Sequence, residues 1–240
     1  MKLGLFGLVA ALMAGSVSAS EMPHMAKQGQ AQRLMVDGAP FLILGGELGN
    51  SSASDPVYLN TLWPKLDAIG LNTLLVPIEW DQIEPVEGQF DFKVTDALLD
   101  QARAHHVRLV VLWFGAWKNS MSTYAPAWVK HDPARFSKVR TSDGVSQDIL
   151  SPFDMDTQVA DTKAFVALMA HLKAVDPQHT VIMVQVENEI GMLPEARDHS
   201  ALAEKAFAAQ KDTDEVFQAK AFARYVNAEV KAGKAVYPLP

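Results

Sequence analysis

The feature that most constrains this chain is an alternation of short apolar runs with stretches of helical periodicity. Phe41 to Leu44 is apolar and ends in Gly45-Gly46. Asp55-Pro56 then reads as a helix N-cap with a first-turn proline. Leu59, Leu62, Trp63, Leu66 and Ile69 follow at helical spacing, and Gly70 stops the helix. Leu71 to Ile78, Val107 to Phe114 and Val181 to Val186 are continuous apolar runs, the pattern of strands buried on both faces. Between and after them, Val94 to Ala102, Phe165 to Leu172 and Ala219 to Val230 repeat with helical period, and Gly233 is read as the end of the last. Ala235 to Leu239 reads as the start of a fifth strand.

Strands of this kind alternating with helices predict an α/β fold with a parallel sheet covered by helices. A doubly wound sheet and a closed barrel both fit the alternation. Gly45-Gly46-Glu47-Leu48-Gly49 lacks the G-x-G-x-x-G spacing of dinucleotide-binding sheets, which favours the (β/α)8 TIM barrel. A complete barrel takes eight strand-helix units and about 250 residues. Here strands 1–4 and the start of strand 5 occupy all 240 residues, so the pattern predicts about the first half of a barrel, truncated. A smaller complete fold with a loose C-terminal tail is the alternative. A half barrel would expose apolar faces and is expected to be poorly soluble.

Lys2, the apolar run Leu3 to Ala14 and the small residues Val17-Ser18-Ala19 come in the order of a cleavable signal peptide over residues 1–19. A buried N-terminal helix is the competing reading. Export to the periplasm or outside the cell follows from the signal reading. Residues 20–32 are polar and read as a linker, leaving 33–240 as the barrel portion. No later apolar run is long enough to span a bilayer, so no membrane association is expected once the signal is removed. Lys plus Arg total 21 against 28 Asp plus Glu, a net charge of -7 with no long basic run, which argues against nucleic acid as a partner. The chain has no cysteine and no two-histidine helical spacing. Neither a disulfide nor a metal site is expected, and no cofactor is implied. His105-His106 reads as surface.

In a barrel the active site lies at the C-terminal ends of the strands. Those ends carry Glu47 and Asn50, then Glu79 and Trp80, then Trp117 and Asn119, then Glu187, Asn188 and Glu189. Four of the five tryptophans, Trp80, Trp113, Trp117 and Trp128, fall on strands two and three or just beyond. Aromatic rings pack on the C–H faces of sugars, and carboxylates and amides bind the hydroxyls. This mouth suits a carbohydrate, and Glu47, Asn50, Glu79, Trp80, Trp117 and Asn119 are its candidate contacts. Trp113, in mid-strand, reads as core, and Trp80 and Trp117 could equally be core. Glu84, in a loop, reads as structural. On an ideal strand Gln185, Glu187 and Glu189 would share one side and Asn188 the other. A local twist would be needed to bring Asn188 and Glu189 to one substrate, and periodicity leaves open which carboxylate acts.

The segment Val184-Gln185-Val186-Glu187-Asn188-Glu189-Ile190-Gly191 resembles the Gln-Val-Glu-Asn-Glu-x-Gly motif of glycoside hydrolase family 35, the β-galactosidases of the large clan with (β/α)8 barrels. Val36-Asp37-Gly38-Ala39-Pro40-Phe41 resembles that family's opening strand region. Gly70-Leu71-Asn72-Thr73, followed by Trp80 and Glu84-Pro85-Val86-Glu87-Gly88-Gln89-Phe90-Asp91-Phe92, resembles its second strand and loop, and Ala125-Pro126-Ala127-Trp128-Val129 its Leu-Pro-Ala-Trp-Leu. The resemblance implies a retaining hydrolase that releases terminal β-galactose from oligosaccharides or polysaccharide fragments. It makes Glu189 the general acid/base and Asn188 a sugar ligand, commonly at the 2-hydroxyl. It puts the nucleophile at the end of strand seven, beyond residue 240, so that the chain alone is expected to be inactive. Glu187 would orient its neighbours.

Two departures stand out. Ile190 occupies a position where many members have tyrosine. Phe114-Gly115-Ala116-Trp117-Lys118-Asn119 replaces the usual Arg-Pro-Gly-Pro-Tyr-Ile-Cys-Ala-Glu-Trp. They resemble a bacterial subgroup associated with plant cell-wall oligosaccharides such as galactosylated xyloglucan. Two further readings compete: a sugar-binding product without catalysis, and another activity of the clan such as β-xylosidase or endo-glucanase.

Overall fold

The computed structural model describes residues 21–240. The proposed signal peptide lies outside the described residues. The chain opens with an antiparallel meander of β1 (His24–Gln28), β2 (Ala31–Val36) and β3 (Ala39–Pro40). Gly29 has φ +63°, and Asp37-Gly38 has φ +52° and +76°, the paired left-handed geometry of a tight hairpin turn. The expected linker over 20–32 is therefore corrected for its described part, where 24–32 are β1, its turn and the start of β2. Its polarity reflects an edge strand that is wet on most of its surface but paired along its length with β2.

Next come β4 (Gly45–Glu47), α1 (Pro56–Ile69), β5 (Thr73–Glu79), the single turn α2 (Trp80–Ile83), α3 (Lys93–Ala104) and β6 (Arg108–Phe114). The boundaries of α1 follow from chemistry visible in the sequence. The Asp55 carboxylate accepts from the Val57 N–H at 2.8 Å, and Gly70 takes φ +75° as the left-handed cap. A short α4 (Ala127–Lys130) and a hairpin of β7 (Lys138–Arg140) with β8 (Ser146–Leu150) then precede α5 (Met155–Val175), β9 (Val181–Val186), α6 (Ala201–Phe207) and α7 (Asp214–Val236).

Strands β4, β5, β6 and β9 form one parallel sheet in that order. The sheet is open; among the described residues it does not close into a barrel. One face, with Leu74, Val76, Leu109, Val111, Trp113 and Val181, packs on the helices. The other, with Val110, Leu112, Phe114 and Ile182, packs on Leu34 and Val36 of β2. Both faces of the central strands β5 and β6 are covered, which is why these read as unbroken apolar runs, whereas β4 and the end of β9 are partly exposed.

Two C-terminal expectations are revised. Helix α7 runs through Gly233 to Val236, because a hydrogen at that position lets α7 press on α5: a Cβ there would lie 2.4 Å from the Phe165 ring. Ala235 and Val236 are thus helical, and the expected fifth strand shrinks to the tail Tyr237 to Pro240, which meets β9 through the Val184 N–H and the Pro240 carbonyl at 3.1 Å. No helix among the described residues is long and apolar enough to cross a membrane.

Candidate active site

The site is built where β9 ends. Val184 and Val186 face the helices, so strict alternation would send Glu187 to the opposite face with Gln185. It does not go there. Glu187 takes φ +63°, and its carboxyl turns inward to accept from the backbone N–H groups of Ala116 at 2.9 Å and Trp117 at 2.8 Å. Glu189 takes φ +42° and turns outward, its side chain 62% exposed. Two left-handed residues thus supply the twist that the ideal strand lacks.

Asn188 is held between them. Its Nδ2 donates to the Lys118 carbonyl at 2.7 Å, and its Oδ1 accepts from Gln185 Nε2 at 2.7 Å. Lys118 Nζ reaches Glu189 Oε2 at 3.2 Å. The segment after β6 therefore positions both residues, one through its backbone and the other through its side chain. An open pocket lined by Asn119, Ser120, Met121, Glu189, Ile190 and Leu193 adjoins the Glu189 carboxyl.

Directly behind this turn lies a sealed group of acids: Asp161 from α5, Glu187 just past the end of β9 and Glu229 from α7. Asp161 accepts from Trp113 Nε1 at 3.0 Å, the Ala116 N–H at 2.9 Å and the Tyr225 hydroxyl at 2.9 Å. Burial pushes the Glu187 carboxyl well up, reinforced by the neighbouring Asp161 and Glu229. Burial likewise pushes up Glu229, with Asp161 adding to it. Asp161 is also raised by burial, against the bonds it accepts. Tyr225 is raised well above an ordinary phenol by burial beside these acids. Gly115 makes the enclosure possible. A Cβ there would lie 2.5 Å from Asp161, Glu187 and Trp113 atoms at once.

The other strand-end candidates divide. Glu47 and Asn50 are exposed at the end of β4. Glu79 is buried, accepts from the Ser54 hydroxyl at 2.8 Å and is raised chiefly by burial. It shares a groove with Asp81, which is raised by burial against the pull of Lys130. Asn119 lines the Glu189 pocket, but its Oδ1 is taken by the Met121 N–H and the Ser122 hydroxyl. Trp80 and Trp117 are corrected: both are fully buried and offer no ring face to a sugar. Trp80 donates to Glu84 at 3.0 Å and meets Trp128 edge-on. Trp117 donates to the Leu150 carbonyl at 3.1 Å and packs against Phe222 and Tyr225. Strand-end position does not say which way a ring turns. Glu84 also accepts from the Gly88 N–H at 2.7 Å, a loop-closing role.

Sequence reasoning passed over Asp161, Glu229 and Lys118. The first two carried a signal. Asp161 sits on the stripe of Ala160, Ala164, Phe165 and Leu168, and Glu229 on that of Phe222, Tyr225 and Gly233. An acid on the buried face of a helix is costly unless something satisfies it. Lys118 had no such mark.

Comparison with known proteins gives the family. The model of the family described as glycosyl hydrolases family 35 matches residues 33–236. A β-galactosidase of Xanthomonas manihotis is 26% identical over 210 residues, covering 82% of this chain and 31% of that protein. The chain thus spans about a third of the length of this curated relative. Among solved structures, a β-galactosidase from Bacillus circulans sp. alkalophilus matches with a TM-score of 0.63 at 15% identity, over 82% of this chain and 35% of that one. One from the psychrophilic Marinomonas ef1 matches with 0.60 at 12%, over 82% and 36%. An exo-β-1,4-mannosidase from Opitutaceae bacterium strain TAV5 matches with 0.54 at 16%, over 84% and 31%. These likenesses show an α/β fold with a parallel sheet similar to that of the solved enzymes, and the family match over residues 33–236 makes the chain a member of glycosyl hydrolases family 35.

Proposed function

We propose that this chain supplies the acid/base half of a retaining glycoside hydrolase acting on terminal β-galactose, with Glu189 as the acid/base. The observation that carries the reading is the presentation of Asn188 and Glu189 together, at the C-terminal end of β9, beside an open pocket. Retaining hydrolysis needs two carboxyl groups about 5–5.5 Å apart. One attacks the anomeric carbon and forms a glycosyl-enzyme. The other protonates the departing oxygen, then takes a proton from water. Glu189 is free to reach a glycosidic oxygen, since its exposed carboxyl accepts only from Lys118 Nζ among the described residues. That ammonium steadies the carboxylate left after the proton is given. Asn188 keeps one N–H and one lone pair beyond its two internal bonds, enough to bind a sugar hydroxyl. The attacking carboxylate is assigned to the strand-seven end expected beyond residue 240.

Chemical rescue tests the assignment. In the full-length protein, azide added to Glu189→Ala should restore turnover of an aryl β-galactoside and yield the β-galactosyl azide, because azide attacks the anomeric carbon of the glycosyl-enzyme and displaces the enzyme carboxylate without needing a base. A product of inverted configuration, or no rescue beside a rescued variant at another carboxylate, would remove Glu189 from this role. The same assay run across aryl xylosides, glucosides and mannosides reads the sugar preference. Export follows from the signal reading of residues 1–19, and N-terminal sequencing of secreted protein should begin near Ser20.

A further inference from the structure

The acids behind the β9 turn have no part in the proposed chemistry, and their arrangement asks for an explanation. The ligand atoms of Asp161, Glu187 and Glu229 all lie within 4.8 Å of one another, and all three side chains are buried. Among the described residues no ion pair reaches any of them. The groups that face them are few. Strand β6 and the residues after it bring Trp113 Nε1 and the N–H groups of Ala116 and Trp117. Helix α7 brings Tyr225 besides Glu229 itself, and α5 brings Asp161.

These donors are shared unequally. Asp161 accepts three bonds, from an indole, a backbone amide and a phenol. Glu187 accepts two, from backbone amides. Neither oxygen of Glu229 accepts from any protein N–H or O–H. The carboxyl it faces is that of Asp161, with ligand atoms of the two within 4.8 Å. Two carboxylates cannot bond to each other without a proton between them. Three negative charges this close, in a site without a cation, cannot persist together. The best-solvated acid keeps the charge, and the acid with no donor must itself donate.

We propose that Asp161, Glu187 and Glu229 form a proton-sharing cluster, in which Glu187 and Glu229 each donate to one Asp161 carboxylate, and that this cluster positions the left-handed turn presenting Asn188 and Glu189. The directions agree. The bonds from Glu187 and Tyr225 favour charge on Asp161, while Glu187 and Glu229 are held in their neutral forms by burial first and by Asp161 second. The positioning link is the Glu187 main chain. Its φ of +63° is unfavourable for glutamate, and the bonds to Ala116 and Trp117 hold it there. Full ionisation of the cluster would push Glu187 out and release Asn188 from the Lys118 carbonyl. The second half of the proposal rests on the proposed role of Glu189; the first half does not.

The sign of the pH dependence follows. A carboxyl raised by folding contributes stability that is fully present below its unfolded value, and loses it as pH rises towards its folded value. The melting midpoint of the wild-type chain should therefore fall as pH rises above about 4.5. Glu229→Gln carries a permanent N–H donor to Asp161 and cannot ionise. It should melt higher than wild type at alkaline pH and fall less steeply. Infrared spectra of the wild-type chain at neutral pH should retain the carbonyl stretch of a protonated carboxylic acid, which Glu229→Gln weakens. That measurement on the native protein stands even if a variant folds poorly. Three results would overturn the cluster: no protonated-acid band, a glutamine variant with the wild-type pH slope, or a wild-type midpoint raised by calcium or magnesium and lowered by EDTA. The last would make the group a cation site. Kinetics of the full-length protein then read positioning separately. Glu229→Gln should keep kcat at neutral pH and extend the alkaline limb of its pH profile with KM unchanged. An unshifted limb, alongside the expected melting and infrared results, would confine the cluster to stability.

Discussion

Glutamine in place of Glu189 should lower kcat of the full-length protein on an unactivated β-galactoside by roughly 10²–10⁴-fold, the usual worth of a positioned general acid. That is about 3–5 kcal/mol of barrier. The substitution is close to isosteric, and the side chain it replaces is 62% exposed and pairs only with Lys118. Folding stability should therefore change by less than about 0.5 kcal/mol. The separation of a large kinetic loss from an unmoved melting curve is the informative result. The loss should shrink for nitrophenyl leaving groups in the glycosylation step, since these depart without a proton. It should persist in deglycosylation, where water still needs a base. Equal turnover by wild type and variant on a disaccharide would retire Glu189 as the acid/base.

The largest expected effect on folding comes from Gly115→Ala. A methyl group there meets Asp161 Oδ1, Glu187 Oε1 and Trp113 Nε1, each at 2.5 Å, well inside contact distance. None of these atoms is the loose end of an exposed chain. All three belong to buried side chains joined by hydrogen bonds. Relief requires moving the strand end or breaking those bonds, so overpacking and lost hydrogen bonds act together. The cost should be about 3 kcal/mol or more, a large share of the roughly 5–15 kcal/mol that holds a domain folded. Urea denaturation measures it. A loss below about 1 kcal/mol would mean that the enclosure has slack. The same variant should also disturb Asn188, whose anchor is the Lys118 carbonyl three residues along.

The two substitutions probe residues of very different legibility. Glu189 was singled out by the resemblance of Gln185-Val186-Glu187-Asn188-Glu189 to a family motif; the apolar strand running into Glu-Asn-Glu marked the segment but left open which carboxylate acts. What periodicity could not show is that Glu187 and Glu189 part company, since left-handed glutamates leave no mark in sequence. The strands β5 and β6 were readable because both of their faces are covered, β9 because it is apolar up to Val184 although its end is partly exposed, and α1 because its caps are local chemistry. Strand β1 was hidden by its polar surface. The β7–β8 hairpin was hidden by its shortness. Gly233 misled because the same residue that ends helices also lets them touch. Trp80 and Trp117 misled for a related reason. A ring beside polar residues can serve a ligand or a core, and only packing decides.

The left-handed backbone at Glu189 sets persistence against usefulness. A glutamate there gives up conformational energy that glycine would recover, on the order of 1 kcal/mol. Its exposed side chain returns almost nothing to the fold. Selection for durability alone would favour glycine at this position and discard the carboxyl. A gene bank of variants sorted by abundance would therefore rank position 189 as improvable, while the same bank sorted by growth on a galactoside would rank it as untouchable. Under the role proposed for Glu189, the two rankings diverge because strain and reactivity fall on one residue.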